Sequence, residues 1–210
     1  MLNKNYTKFL YFLDRDLEKI FKNQQEYICC KEGCSHCCED GEYPFSMLEY
    51  EYLMKGFDKL DSNIQKQINQ NIKLVKETNP STYKCPFLID KKCSVYKYRG
   101  IICRTFGVLS EKANGNLAVP FCYSLGLNYS KVYDEKIQKI SLDLIQKNNY
   151  KTFPHPFNLR LSNIMNLDIT KELKLDFGEV KRLIDWFWDL HIKAAAGFLF
   201  FVLLYQQEVI

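Results

Sequence analysis

Five of the nine cysteines fall within ten residues, Cys29-Cys30-Lys31-Glu32-Gly33-Cys34-Ser35-His36-Cys37-Cys38, and four more follow as Cys85, Cys93, Cys103 and Cys122. No other feature limits the fold as strongly. Thiolates two and three residues apart converge on one ion or cluster when a tight turn, here around Gly33, aims them inward. A chain built on such a set must bring the later cysteines back to the first ones.

The number of cysteines is odd, and the N-terminal stretch lacks the uninterrupted apolar run of a secretory signal, since Asp14, Arg15 and Asp16 interrupt it. The expected compartment is the reducing cytoplasm, where dense cysteines bind metal more often than they form disulfides. The 210 residues, 47% apolar, suffice for a core without cross-links. One domain over 1–210 is expected, with a cysteine-rich metal-binding core at about 29–122, an N-terminal helix and a C-terminal helical part over 130–210.

The net charge of +4 comes from lysines scattered through helical stretches. Nucleic-acid binders concentrate basic residues on one face among stacking aromatics, so no nucleic-acid partner is expected. Only nine glycines are present, none in a GxGxxG or phosphate-loop arrangement, which argues against the common nucleotide-using enzymes.

Phe9, Leu10, Leu13, Leu17, Ile20 and Phe21 form one stripe, predicting an amphipathic helix over Tyr6 to Tyr27. Ser46 and Glu49 form a capping-box pattern ahead of a second helix. Ile64, Ile68, Ile72 and Val75 predict a third from Ser62 to about Thr78. Phe87 to Ile89 and Cys93 to Tyr96, across Asp90-Lys91-Lys92, predict a hairpin with cysteines at its ends. Phe106 to Leu109 and Leu117 to Phe121, across Asn114-Gly115, predict another. Ser130 to Asn148 reads as helix, Thr152 to Pro156 as a rigid loop, and the chain from Phe177 onward as helix again. The fold class expected is mainly α with small β-hairpins around a cysteine-rich metal site, a helix-dominated α+β arrangement.

Ala194 to Tyr205 is apolar without interruption, but these twelve residues fall short of the roughly 20 a membrane-spanning helix requires. Extending the segment back to Trp186 takes in Asp189 and Lys193. No membrane span is expected; the stretch reads as a buried C-terminal helix or a homo-oligomer contact.

Taken as ligands, Cys30, Cys34, Cys37, Cys38, Cys85, Cys93, Cys103 and Cys122 supply eight thiolates, enough for two four-coordinate sites or one larger cluster with spare thiols. Cys29 is the expected extra residue, because Cys30 has the shorter gap to Cys34, although spacing alone does not separate the two. Adjacent Cys37 and Cys38 are awkward partners on one ion, since neighbouring side chains diverge in most backbone conformations. Soft thiolate sets select zinc, copper(I) or iron–sulfur clusters, and a [4Fe-4S] cluster and Zn²⁺ are the two occupants considered. Around them, Tyr96, Arg99 and Arg104 are candidates for hydrogen bonds to the sulfurs or for holding an anionic substrate, and His36 is a candidate alternative ligand. Arg104 and Tyr96 read equally well as a salt bridge and a core tyrosine.

The run Cys30 to Cys38, followed by Cys85-Pro86-Phe87-Leu88, Cys93-Ser94-Val95-Tyr96 and Arg99 to Cys103-Arg104-Thr105-Phe106, resembles the YkgJ-type cysteine-cluster proteins, a zinc- or iron-chelating domain. The resemblance spans about Cys29 to Cys122, with Arg99-Gly100 standing where the family often has Arg-Pro. It implies metal chelation. A flagellin lysine methylase with an iron–sulfur cluster has a similar cysteine pattern, so the resemblance also implies protein-lysine methylation and a protein substrate, by analogy. The competing expectation is a binding or adaptor module with a structural zinc and no catalytic activity. An open cleft beside Arg99 and Arg104 would mark the first, and fully buried thiolates the second.

Overall fold

The structure is a computed structural model and describes residues 2–31 and 33–187. Helix α1 (Leu2–Asn23) buries Tyr6, Phe9, Leu10, Leu13 and Leu17 on one face and leaves Tyr11 exposed on the other, as the stripe predicts. A short helix α2 (His36–Glu39) follows, then strand β1 (Pro44–Ser46), helix α3 (Met47–Phe57) and helix α4 (Ser62–Thr78). At the start of α3 the Ser46 side chain accepts from the Glu49 N–H while the Glu49 side chain accepts from Ser46, the reciprocal box expected. Asp61 caps α4 and Asn79 ends it in the left-handed conformation at φ 39°.

Strands β2 (Leu88–Ile89) and β3 (Lys92–Cys93) make the first hairpin. Its loop is two residues, shorter than the sequence suggests: Asp90 and Lys91 take φ 47° and 60°, the left-handed pair that matches strand twist. Cys85 and Cys93 lie at its base. After a 3-10 turn at Tyr96–Tyr98 comes helix α5 (Ile101–Thr105), which carries Cys103.

The second hairpin is displaced from the predicted one. Strands β4 (Ser110–Glu111) and β5 (Leu117–Ala118) pair, but Phe106 to Leu109 forms no strand. Gly107 at φ 99° breaks the extended run, and the Leu109 carbonyl accepts from Phe157 N–H at 3.1 Å instead. A second 3-10 turn, Phe121–Leu125, holds Cys122.

Ser130 to Asn148 is not one helix. Strands β6 (Tyr133–Asp134) and β7 (Lys139–Ile140) form a third hairpin, and only Leu142–Lys147, helix α6, is helical. Asp134 Oδ1 accepts from Lys136 N–H at 2.9 Å and Gln138 takes φ 52°, so the turn closes locally. Ser141 then accepts from Leu144 N–H and caps α6.

Helices α7 (Leu161–Met165) and α8 (Asp168–Glu172) precede strand β8 (Val180–Arg182), which pairs antiparallel with β1. Phe177 to Arg182 therefore departs from the predicted helix. Gly178 at φ 66° interrupts helical geometry, β1 offers unpaired backbone groups, and Leu183 N–H donates to the Tyr43 carbonyl at 2.7 Å to extend the pairing. Helix begins at Leu183. The apolar stretch Ala194 to Tyr205, with the oligomer contact expected of it, lies outside the described residues.

The fold is thus α+β, with helices and four two-stranded antiparallel pairs among the described residues. Among them no helix is long and apolar enough to cross a membrane. The apolar interior falls into three clusters. One gathers Phe45, Tyr50, Leu53, Ile68, Phe87 and Trp186, with Cys85, Cys93 and Cys103 against its edge. A second joins α1 to Leu48, Ile101 and Phe177. The third joins Tyr27, Leu109, Tyr129, Val132 and Ile145 beneath the third hairpin. At roughly 1.5–3 kcal/mol for each large apolar side chain buried, these clusters hold the cysteine-bearing segments between them.

Candidate functional site

The first cysteine run leaves α1 through a turn in which Tyr27 N–H donates to the Gln24 carbonyl at 2.9 Å. Cys34 N–H then donates to the Lys31 carbonyl at 3.0 Å, and Gly33 takes φ 85°, so the turn forms around the small residue as the spacing requires. Cys38 N–H donates to the Ser35 carbonyl at 2.7 Å and closes the single turn of α2. This places the Cys37 and Cys38 sulfurs 3.8 Å apart. The divergence expected of neighbouring side chains does not occur. Metal–sulfur bonds of about 2.3 Å at tetrahedral angles give a sulfur–sulfur edge of about 3.8 Å, so this pair spans one edge of a tetrahedral thiolate site.

The later cysteines return to this pair on two sides. On one, Cys85 N–H donates to the Cys38 carbonyl at 2.8 Å, beside the bridge between Gly41 and Tyr83. Burial raises the Cys85 thiol well above its ordinary range, and neighbouring Cys103, Cys93 and Cys37 raise it further. Cys103 is pushed up to about 12, chiefly by burial and then by Cys93 and Cys37. On the other side Cys122, buried, is pushed up to about 11 by burial and by Cys30 and Cys34. Cys30 is raised by burial first, then by Cys34, Cys37 and Cys29. The thiols thus influence one another in two sets, Cys30, Cys34 and Cys122 in one and Cys85, Cys93 and Cys103 in the other, with Cys37 acting on members of both. Cys29 differs in also acting on Tyr150. All nine cysteines are free thiols. Among the described residues, no group of three or more His, Cys, Asp or Glu side chains is arranged so that it could hold a metal ion.

Nearby donors oppose part of the rise that burial imposes on these thiols. Backbone N–H groups two residues along the chain, at Phe87 and Val95, lower the Cys85 and Cys93 thiols against burial. Asn128 does so for Cys30 with its side chain and for Cys122 with its backbone. Arg99 is the cation that acts on Cys93 and Cys103, while its guanidinium lies 3.9 Å over the exposed Tyr96 ring. Arg104 is buried and its donors are committed: Nη1 to Asp14, Nε to the Arg99 carbonyl at 3.1 Å and Nη2 to the Lys97 carbonyl at 3.1 Å. His36 is exposed at the first position of α2.

Two residues at the site carry no sequence signal. Tyr43 donates to the Cys37 carbonyl at 3.2 Å, and its hydroxyl is raised by burial and by Cys85, Cys38, Cys103 and Cys37. Asn128 lies six residues beyond Cys122 in no recognisable motif. An open hollow of about 520 Å³ is lined by Thr7, Tyr52, Lys55, Asp58, Lys59 and Tyr98, and includes no cysteine and neither Arg99 nor Arg104.

Soft sulfur donors in this number, with N–H groups turned toward several of them, fit zinc or an iron–sulfur cluster and do not fit a hard cation. No family model, no curated protein and no solved structure matches the chain.

Proposed function

We propose that the chain is a metal-binding protein that holds zinc or an iron–sulfur cluster through Cys37 and Cys38 together with thiolates from both flanking sets. The observation that carries this reading is the Cys37–Cys38 sulfur spacing of 3.8 Å, the edge of a tetrahedral thiolate site, on a segment to which Cys85 returns with its N–H 2.8 Å from the Cys38 carbonyl. A bound cation would replace the repulsion among neighbouring thiolates by attraction and would release their protons on binding. When bound, zinc would supply a structural clamp or a Lewis acid, and an iron–sulfur cluster an electron-transfer centre.

This chain's own residues would position that chemistry. Phe87, Val95 and Asn128 aim N–H groups at sulfur, and Arg99 balances negative charge on the side of Cys93 and Cys103. Cys29 and Cys34 are exposed, so the side that includes Cys34 is reachable from solvent, which favours a reactive centre over a sealed structural one. Thiols in this role need a reducing compartment, and the cytoplasm is part of the proposal. Resemblance to the flagellin lysine methylase makes methylation of a protein lysine the reaction to assay first.

Anaerobic purification with metal analysis and a visible spectrum tests the reading. A brown protein containing iron and sulfide, or a colourless one with stoichiometric zinc, is expected. A chain that carries neither, and takes up neither on reconstitution under reducing conditions, would refute it.

A further inference from the structure

Asn128 is 1% exposed, and its amide is engaged by groups whose hydrogen-bonding sense is fixed. Its Oδ1 accepts from the Cys29 backbone N–H at 2.7 Å. Its Nδ2 donates to the Gly107 carbonyl at 2.8 Å and to Cys30 Sγ at 3.2 Å. A backbone N–H only donates and a carbonyl only accepts, so the amide cannot be turned over without breaking both bonds. The remaining amide hydrogen therefore meets the Cys30 sulfur as an acceptor, and a thiolate accepts far better than a thiol.

The surroundings enforce the same choice. Gly107 lies so close to Cys30 that a Cβ placed on it would stand 2.8 Å from the sulfur and 3.3 Å from Asn128 Nδ2. Asn128 thus joins three segments that deliver thiols: the start of the first run, the chain leaving α5 after Cys103, and the stretch following Cys122. Cys29 offers Asn128 its backbone, whereas Cys30 offers its sulfur.

We propose that Asn128 is the positioning residue that selects Cys30 over Cys29 as a metal ligand, fixing the Cys30 sulfur with its Nδ2 donor while its Oδ1 holds the Cys29 backbone. The proposal rests on the metal-binding reading above, and one experiment separates the two. The reduced, metal-free full-length chain is titrated with Co²⁺ while the thiolate-to-cobalt charge-transfer band is recorded. No band in the unmodified chain counts against metal binding by these thiols altogether. With the band present, Asn128→Leu keeps the volume but offers no donor. It is expected to bind Co²⁺ about 10-fold or more weakly and to move the band to lower energy, because the sulfur lone pairs lose the N–H that stabilised them. A purely structural defect would weaken binding without moving the band. Unchanged affinity and band position overturn the proposal. Should Asn128→Leu fail to fold, the serine variants decide: Cys29→Ser is expected to keep the full band and Cys30→Ser to diminish it. Equal loss, or the reverse order, overturns the assignment.

Discussion

Arg104 donates from Nη1 to both carboxylate oxygens of Asp14, at 2.6 Å to Oδ1, and so ties α5 to α1 across ninety residues of chain. The guanidinium is almost fully buried while Asp14 is half exposed, with side-chain exposures of 4% and 48%. Removing Asp14 leaves a buried cation with only carbonyl partners. Breaking fully buried pairs costs about 3–5 kcal/mol, and the exposure of Asp14 scales this down to about 1–2 kcal/mol for Asp14→Asn. Chemical denaturation should show a lower midpoint with an unchanged slope. A stability change within about 0.3 kcal/mol would show that the pair contributes nothing.

Glu49 connects the capping box to α5, because its Oε1 accepts from Ile101 N–H at 2.7 Å while Oε2 accepts from Ser46. In Glu49→Gln one of those donors faces an NH₂ group, so a loss of about 1–3 kcal/mol is expected. The pH dependence distinguishes the residue further. Burial raises the Glu49 carboxyl above its ordinary 4.5, against the lowering bonds from Ser46 and Ile101 and the attraction of Arg104. The folded chain therefore holds this proton more tightly than the unfolded one. Its contribution to stability is fully present below pH 4.5 and is lost as pH rises through the higher folded value. The stability advantage of the unmodified chain over Glu49→Gln should accordingly shrink as pH rises above 4.5 in paired denaturation curves. A pH-independent difference would show that burial does not raise the carboxyl.

The helices with strong periodicity and local caps were legible in the sequence, because stripe and cap act through neighbours three and four residues apart: the Ser46–Glu49 box and the span of α4 need nothing else. Elements decided by distant partners were not. Val180 to Arg182 falls in a stretch that reads as helix, yet the edge of β1 draws it into a strand, a competition invisible without knowing where Pro44 to Ser46 lies. The Ser130 to Asn148 run hid a turn because Asp134 and Gln138 signal it only through side-chain bonding and a positive φ. At the site, cysteine spacing named candidate thiols but not the 3.8 Å approach of the Cys37 and Cys38 sulfurs. Asn128 and Tyr43 escaped notice because their roles come from tertiary contact.

Gly107 is where backbone and sulfur compete most directly for space. At φ 99° an alanine is strained, and its Cβ would sit 2.8 Å from Cys30 Sγ. Strained non-glycine residues cost on the order of 1–3 kcal/mol, so Gly107→Ala should lower stability by about that amount and displace Cys30. Both effects are measurable, by thermal denaturation and by the reactivity of Cys30 toward a thiol reagent in a Cys29→Ser background. A variant with normal stability and normal Cys30 reactivity would show the contact to be slack.

Cys34 and Cys103 separate metal binding from packing. Cys34 is exposed, so its thiol contributes little to the apolar interior. Cys103 packs against the largest apolar cluster and has its thiol raised to about 12 by burial and its neighbours. In metal-free protein, Cys34→Ala should therefore melt like the unmodified chain, whereas Cys103→Ala should be less stable by about 1–2 kcal/mol through lost contact alone. In metal-loaded protein both should lose most of the stabilisation that metal supplies, since a missing ligand weakens the site and binding stabilises the folded state by mass action. Thermal melts with and without a strong chelator test this directly. The chelator should lower the midpoint of the unmodified chain and leave Cys34→Ala nearly unmoved. A Cys34→Ala protein that still shows the full chelator-sensitive shift would remove Cys34 from the ligand set.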